Sequence, residues 1–189
     1  MTNAFRSFSP YIGCMETDTA KARENAQRAR EAAEKFFPGE KWVKVEDGIY
    51  LSPRRPIGKK SNYPDELRDA QILRDGGSTV YLAPEVRSDK KKKFDAIVDG
   101  LQMEFKNMRG ISVRTLKSHF LDSRKQAPHV FINLEDSPLS KHKIIRFLIS
   151  ARNSPEYDEK NRFPEGGSII LKIKGHRNLI YQEVNDIKS

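Results

Sequence analysis

Cysteine is almost missing from this chain. Cys14 is the only one in 189 residues, which excludes an intramolecular disulfide and a zinc site built on several thiolates, and suits a reducing compartment. Long hydrophobic runs are missing too. No stretch approaches the about 18 apolar residues that span a bilayer, and the N-terminus lacks the charged-then-apolar order of a secretory signal, so no membrane partner and a cytoplasmic setting are expected. Repeats and low-complexity tracts are absent as well. Acidic residues are outnumbered, 26 Asp and Glu against 35 Lys and Arg, giving a net charge of +9 and a pI near 9.6. That balance favours a polyanionic partner, nucleic acid first. The 37% hydrophobic content is enough for one globular domain with a real core and an appended segment.

The first sixteen residues mix aromatic and turn residues without period and read as an irregular lead-in. From the N-cap candidates Thr17 and Asp18 a charged, alanine-rich helix runs to Pro38-Gly39, with Ala22, Ala26, Ala29, Ala33 and Phe36 as its narrow apolar stripe. Trp42 to Ser52 reads as a hairpin turning at Asp47-Gly48. In the basic loop that follows, Arg54, Arg55, Lys59 and Lys60 are suited equally to gripping phosphate or to sitting solvated. Asn62 and Pro64 open a helix that Gly76-Gly77 closes, and it carries Glu66 beside the apolar Leu67, Ala70 and Leu73. A strand over 78–85, an amphipathic helix over 112–126, a buried strand over 129–135, a helix over 143–152 and a closing hairpin around Gly175 complete an α/β pattern with a mixed sheet.

The central stretch FDAIVDGLQMEFK, Phe94 to Lys106, carries charge where a hairpin would bury apolar groups. Asp99-Gly100 predicts a two-residue primed turn, which sets Ala96 opposite Met103 and Asp95 opposite Glu104. Alternation then gives Glu104 and Lys106 one face of the strand and Met103 and Phe105 the other. Facing carboxylates destabilise a sheet unless a cation or the Lys106 ammonium compensates them. Asp95 and Glu104 are therefore candidate ligands for a hard divalent cation, Mg²⁺ first and Mn²⁺ or Zn²⁺ as alternatives, and the carbonyl of Phe105 is a further candidate ligand. Lys106 is suited to positioning an attacking water or stabilising charge on a phosphate. The expected chemistry is phosphodiester hydrolysis. A surface salt-bridge cluster explains the same residues without catalysis.

Asp95 followed by Glu104-Phe105-Lys106, after a helix with Glu66 and a strand, resembles the PD-(D/E)XK (restriction-endonuclease-like) nuclease superfamily. Over the wider pattern ELRDAQILRDGGSTVYLAPE, FDAIVDGLQMEFK and SRKQAPHVFINLEDSPLS, from about Asn62 to the C-terminus, the chain is similar to the C-terminal tRNase domain of contact-dependent growth inhibition toxins. Phe94-Asp95 stands where the superfamily has Pro-Asp, a chemically harmless change because the proline carries no ligand. The resemblance implies a PD-(D/E)XK core, a mixed central sheet flanked by helices, in residues 62–189, with residues 1–61 an N-terminal helix and hairpin extension. It implies Glu66, Asp95, Glu104, Lys106 and Gln126 as catalytic residues, with Lys125 beside Gln126 toward the active edge of the sheet. Implied partners are tRNA and a cognate immunity protein with an acidic surface, met in the producing or the target cell.

Arg109, Arg124, Lys125 and Lys93, with Arg114 and Lys117, are candidate contacts to the nucleic-acid backbone, and solvated surface charge is the plain alternative. His119, His129, His142 and His176 are scattered and read as structural or surface residues. One rival pairs Glu104 with His119 or His129 as base and acid of a metal-independent ribonuclease. Two further alternatives remain, a DNA endonuclease of the same fold and a non-catalytic basic nucleic-acid-binding protein.

Overall fold

The structure is a computed structural model that describes residues 6–7, 15–58, 61–85, 94–123, 125–153, 167–177 and 179–183. In chain order the elements are β1 (Arg6–Ser7), α1 (Met15–Phe36), β2 (Val43–Glu46), β3 (Ile49–Leu51), α2 (Tyr63–Asp75), β4 (Val80–Leu82), β5 (Ala96–Val98), β6 (Leu101–Asn107), α3 (Val113–Ser123), β7 (His129–Leu134), α4 (Lys141–Asn153), β8 (Ser168–Ile173) and β9 (Ile180–Glu183). The class is α/β with mixed strand pairing, as the periodicities predict. The chain forms two compact units, Pro10–Met103 and Met1–Ser9 with Glu104–Ser189.

In the unit Pro10–Met103 the strand order is β2-β3-β4-β5 followed by the first residues of β6. β3 and β4 run parallel, while β2–β3, β4–β5 and β5–β6 are antiparallel. The Asp-Gly turn sets the last register as the sequence predicts, Val98↔Leu101, Ile97↔Gln102 and Ala96↔Met103. Asp99 and Gly100 both have positive φ, 50° and 93°, the signature of a primed turn. Asp99 also accepts the N–H of Thr79 at 2.8 Å, tying the turn to the segment before β4. Helix α1 packs on β4 and β5, and α2 packs on β3 and β4.

Only the C-terminal half of the α1 stripe is buried. Ala29, Ala33 and Phe37 are in the core, Ala26 and Phe36 are half-buried, and Ala22 is exposed. Aromatic rings continue from there. Phe37 meets Phe94 and Trp42 edge-on, Trp42 meets Tyr81 edge-on at 5.1 Å, and Tyr81 stacks on Tyr50 at 4.5 Å.

In the other unit the order is the second half of β6, then β7-β8-β9-β1. β7 and β8 are parallel, and β8–β9 and β9–β1 are antiparallel. All six residues of β7 are buried, as its apolar run predicts. Leu116 and Phe120 of α3, Ile144 and Phe147 of α4, and Val130, Ile132, Leu134, Ile169, Leu171 and Ile173 of the strands make one core. The expectation of an irregular lead-in is corrected at Arg6 and Ser7, which pair with Tyr181 and Ile180. A two-residue strand that completes an edge through its backbone has no side-chain period to read.

Candidate active site

Glu66 lies in the first turn of α2, where apolar neighbours carry it into the unit Pro10–Met103, and it is 6% exposed. Asp95 immediately precedes β5 and is held by its backbone. Its N–H donates to Met103 O at 3.1 Å, and its carbonyl accepts from Ala83 at 2.9 Å. The structure brings these two carboxylates together on one guanidinium. Arg55 Nε donates to Glu66 Oε2 at 2.8 Å, Arg55 Nη2 lies 2.5 Å from the same oxygen, and Nη2 is 3.9 Å from Asp95 Oδ1. Arg55 Nη1 also donates to the carbonyls of Ala83 and Asp95. Burial pushes the Glu66 carboxyl above its ordinary range, and the Arg55 charge opposes that shift.

Arg55 therefore answers the question its loop left open. It is not a solvated charge but a buried one, 5% exposed. Two signals were present in the sequence. Pro53 and Pro56 bracket Arg54-Arg55 and stiffen the loop, and Glu66 on an apolar stripe requires a cationic partner.

Glu104 and Lys106 lie on β6 in the unit with Glu104–Ser189, two residues apart and hence on one side of the strand. Lys106 Nζ donates to Glu104 Oε1. The Glu104 residue is 2% exposed, whereas the Lys106 side chain is 22% exposed. Phe105 is buried and meets Phe131 edge-on.

Helix α3 brings His119 within electrostatic reach of Lys106. Burial first, and then the Lys106 charge, draw the His119 imidazole below its ordinary range, against a smaller pull from Asp122. His129 is buried at the start of β7, its Nδ1 2.9 Å from Ser168 Oγ, and burial alone draws it down.

The remaining candidates fall around α3. Gln126 is half-buried in the turn after α3, its N–H on Ser123 O at 2.9 Å. Lys125 is exposed and lies 3.3 Å from Asp122 Oδ1. Arg109, exposed in the loop before α3, approaches Asp136 Oδ2 at 4.0 Å. Arg124 and Lys93 lie outside the described residues, as do Lys59 and Lys60.

Among the described residues no group of three or more His, Cys, Asp or Glu is gathered as a metal cluster. The donors present in the candidate residues Glu66, Asp95 and Glu104 are carboxylate oxygens, the ligand type of hard cations such as Mg²⁺ rather than of a thiolate-bound structural zinc. No helix of the described residues is long and apolar enough to cross a membrane.

No family model and no curated protein matches the chain. Among solved structures, one described as a CdiA-CT/CdiI toxin and immunity complex from Burkholderia pseudomallei is similar at 21% identity and a TM-score of 0.49, over 70% of this chain and 98% of that one.

Proposed function

We propose that this protein is a metal-dependent nuclease of the PD-(D/E)XK type that cleaves tRNA as a toxin domain. The observation that carries the reading is the element order α2-β4-β5-β6-α3-β7 with its residues in sequence. Glu66 opens the first helix, Asp95 precedes the second strand, and Glu104-Phe105-Lys106 occupies the third. The PD-(D/E)XK core is an α-β-β-β-α-β unit, and this element order, with Asp95 and Glu104-Phe105-Lys106 at those places, supports the reading.

In this reading Asp95 and Glu104 would hold a Mg²⁺ ion, which when bound would supply Lewis-acid chemistry to phosphodiester hydrolysis. Lys106, hydrogen-bonded to Glu104 and with a side chain 22% exposed, holds positive charge beside the phosphoryl oxygens, where negative charge develops. Glu66 joins Asp95 through Arg55, and Gln126 orients the substrate. Arg109, Lys125, Arg124 and Lys93 grip the nucleic-acid backbone, the task that the net charge of +9 suits. An immunity protein with an acidic face completes the system.

The second reading, a basic nucleic-acid-binding protein without turnover, is favoured by one observation. The carboxylates are already ion-paired within the chain, Glu104 by Lys106 and Glu66 and Asp95 by Arg55. Incubation with total tRNA, plasmid and single-stranded DNA in Mg²⁺, Mn²⁺ or EDTA separates the two. Metal-dependent tRNA cleavage lost in Asp95→Ala and Lys106→Ala supports the toxin nuclease, and DNA cleavage moves it to a DNA endonuclease. Cleavage in EDTA points to carboxylate and histidine chemistry. Binding that survives Glu104→Gln, with no turnover in any metal, supports the second reading.

A further inference from the structure

Beyond joining Glu66 to Asp95 the proposed reaction gives Arg55 no task, yet its guanidinium ties together three segments of the unit Pro10–Met103. From the loop after β3 it reaches Glu66 on α2 through Nε at 2.8 Å and Nη2 at 2.5 Å. It reaches the carbonyl of Ala83 just beyond β4, and the Asp95 carbonyl at 3.1 Å just before β5. Nη2 also stands 3.9 Å from the Asp95 carboxylate. Stability does not require such a group. A buried ion pair replaced by apolar side chains of similar volume is often as stable or more so, because the desolvation of both charges is avoided.

Geometry gives a better reason. Asp95 is anchored through its N–H on Met103 and its carbonyl on Ala83, and its side chain is 25% exposed. A planar fork that binds the carbonyl and faces the carboxylate restricts the side chain to a narrow set of orientations, which a single ammonium cannot do. We propose that Arg55 is a positioning residue for the nuclease centre, fixing Asp95 and Glu66 in one arrangement so that the Asp95 carboxylate is preset for a divalent cation. This rests on the reading of Asp95 as a cation ligand. Groups that orient a ligand in this way affect metal affinity by about 10- to 100-fold.

The test is calorimetric titration of the full chain with Mn²⁺ alone, without nucleic acid, for the wild type, Arg55→Lys and the double variant Arg55→Met/Glu66→Leu. The double variant leaves neither member of the ion pair uncompensated, and circular dichroism melts establish that each protein is folded. The expected result is Mn²⁺ affinity weakened about 10- to 100-fold in both Arg55 variants. In tRNA cleavage the Arg55 variants should lose kcat while KM for tRNA stays within about twofold, since no phosphate contact is removed.

A folded Arg55 variant that binds Mn²⁺ as the wild type does overturns the proposal and leaves the nuclease reading intact. A rise in KM at constant kcat overturns it in favour of direct phosphate binding by Arg55. A wild type that binds no Mn²⁺ and cleaves nothing overturns both.

Discussion

Replacing Arg55 by methionine leaves Glu66, 6% exposed, without its cation, and the cost divides into two parts that pH separates. One part is fixed. The carbonyls of Ala83 and Asp95 each lose a donor, at about 1 kcal/mol apiece. The other part is the uncompensated carboxylate, which brings the total near neutral pH to about 3–5 kcal/mol.

The sign of the pH dependence follows from Glu66. Its folded-state pKa is raised by burial and held down by Arg55. A carboxyl with a raised folded pKa contributes stability that is present below the unfolded value of about 4.3 and is lost as pH rises through the folded value. Removing Arg55 removes the opposing influence, so the loss deepens toward neutral pH. Urea unfolding of Arg55→Met and wild type at pH 4 and pH 7.5 should show a deficit of about 2 kcal/mol at the lower pH, when only the carbonyls are short of a donor. At the higher pH the deficit should be the full 3–5 kcal/mol, about 6–20 °C in Tm for a chain of this size. Adding Glu66→Leu should restore most of the pH-dependent part. An equal deficit at both pH values, or a double variant no better than the single, refutes the account.

Three other outcomes are expected. His129 is drawn below its ordinary range by burial, so the unfolded chain takes up a proton that the folded one refuses. Tm should therefore fall as pH drops below about 6.5, and Ser168→Ala, which strips the partner of His129 Nδ1, should cost about 1–2 kcal/mol in urea unfolding at pH 7.5. Gly100 has φ +93° and a Cβ there would sit 3.3 Å from the carbonyl of Arg28, whereas Gly77 has φ +93° with open space. Gly100→Ala should then lower the urea midpoint more than Gly77→Ala, by about 1 kcal/mol beyond the backbone strain the two share. Lys106→Ala should remove tRNA cleavage by at least about 100-fold with the far-UV spectrum intact, whereas Lys125→Ala, one phosphate contact in the proposed grip, should weaken binding and reduce the slope of affinity against salt by about one.

What could be read in advance was what local chemistry determines. The Asp99-Gly100 turn sets the register of β5 and β6 because two residues with positive φ permit one hairpin geometry. Apolar periodicity placed α2, α3 and β7 within a few residues. The burial of Glu104 was only half legible, since alternation puts it on a polar face with Lys106 but does not report that this face is covered. Arg55 was the larger omission. Its partners lie 11, 28 and 40 residues along the chain, and the flanking prolines and the need of Glu66 for a cation do not by themselves choose Arg55 over Arg54 as the arginine that turns inward. The same limit applied to α1, whose alanine stripe is uniform in sequence but is covered only from Ala29 onward, beside β4 and β5.

The edge-on meeting of Trp42 with Phe37 and Tyr81 has a spectroscopic consequence. Trp42 is the only tryptophan in the chain, and it belongs to the unit Pro10–Met103. With Tyr81 at 5.1 Å and Tyr50 stacked behind it, excitation absorbed by the two tyrosines is funnelled to the indole while that unit is folded. The emission colour of this single indole is therefore a private reporter of residues 10–103, whereas far-UV dichroism sums both units. Coincident transitions by the two probes would mean that the units unfold together, and an early change in indole emission would isolate the half that carries Arg55, Glu66 and Asp95.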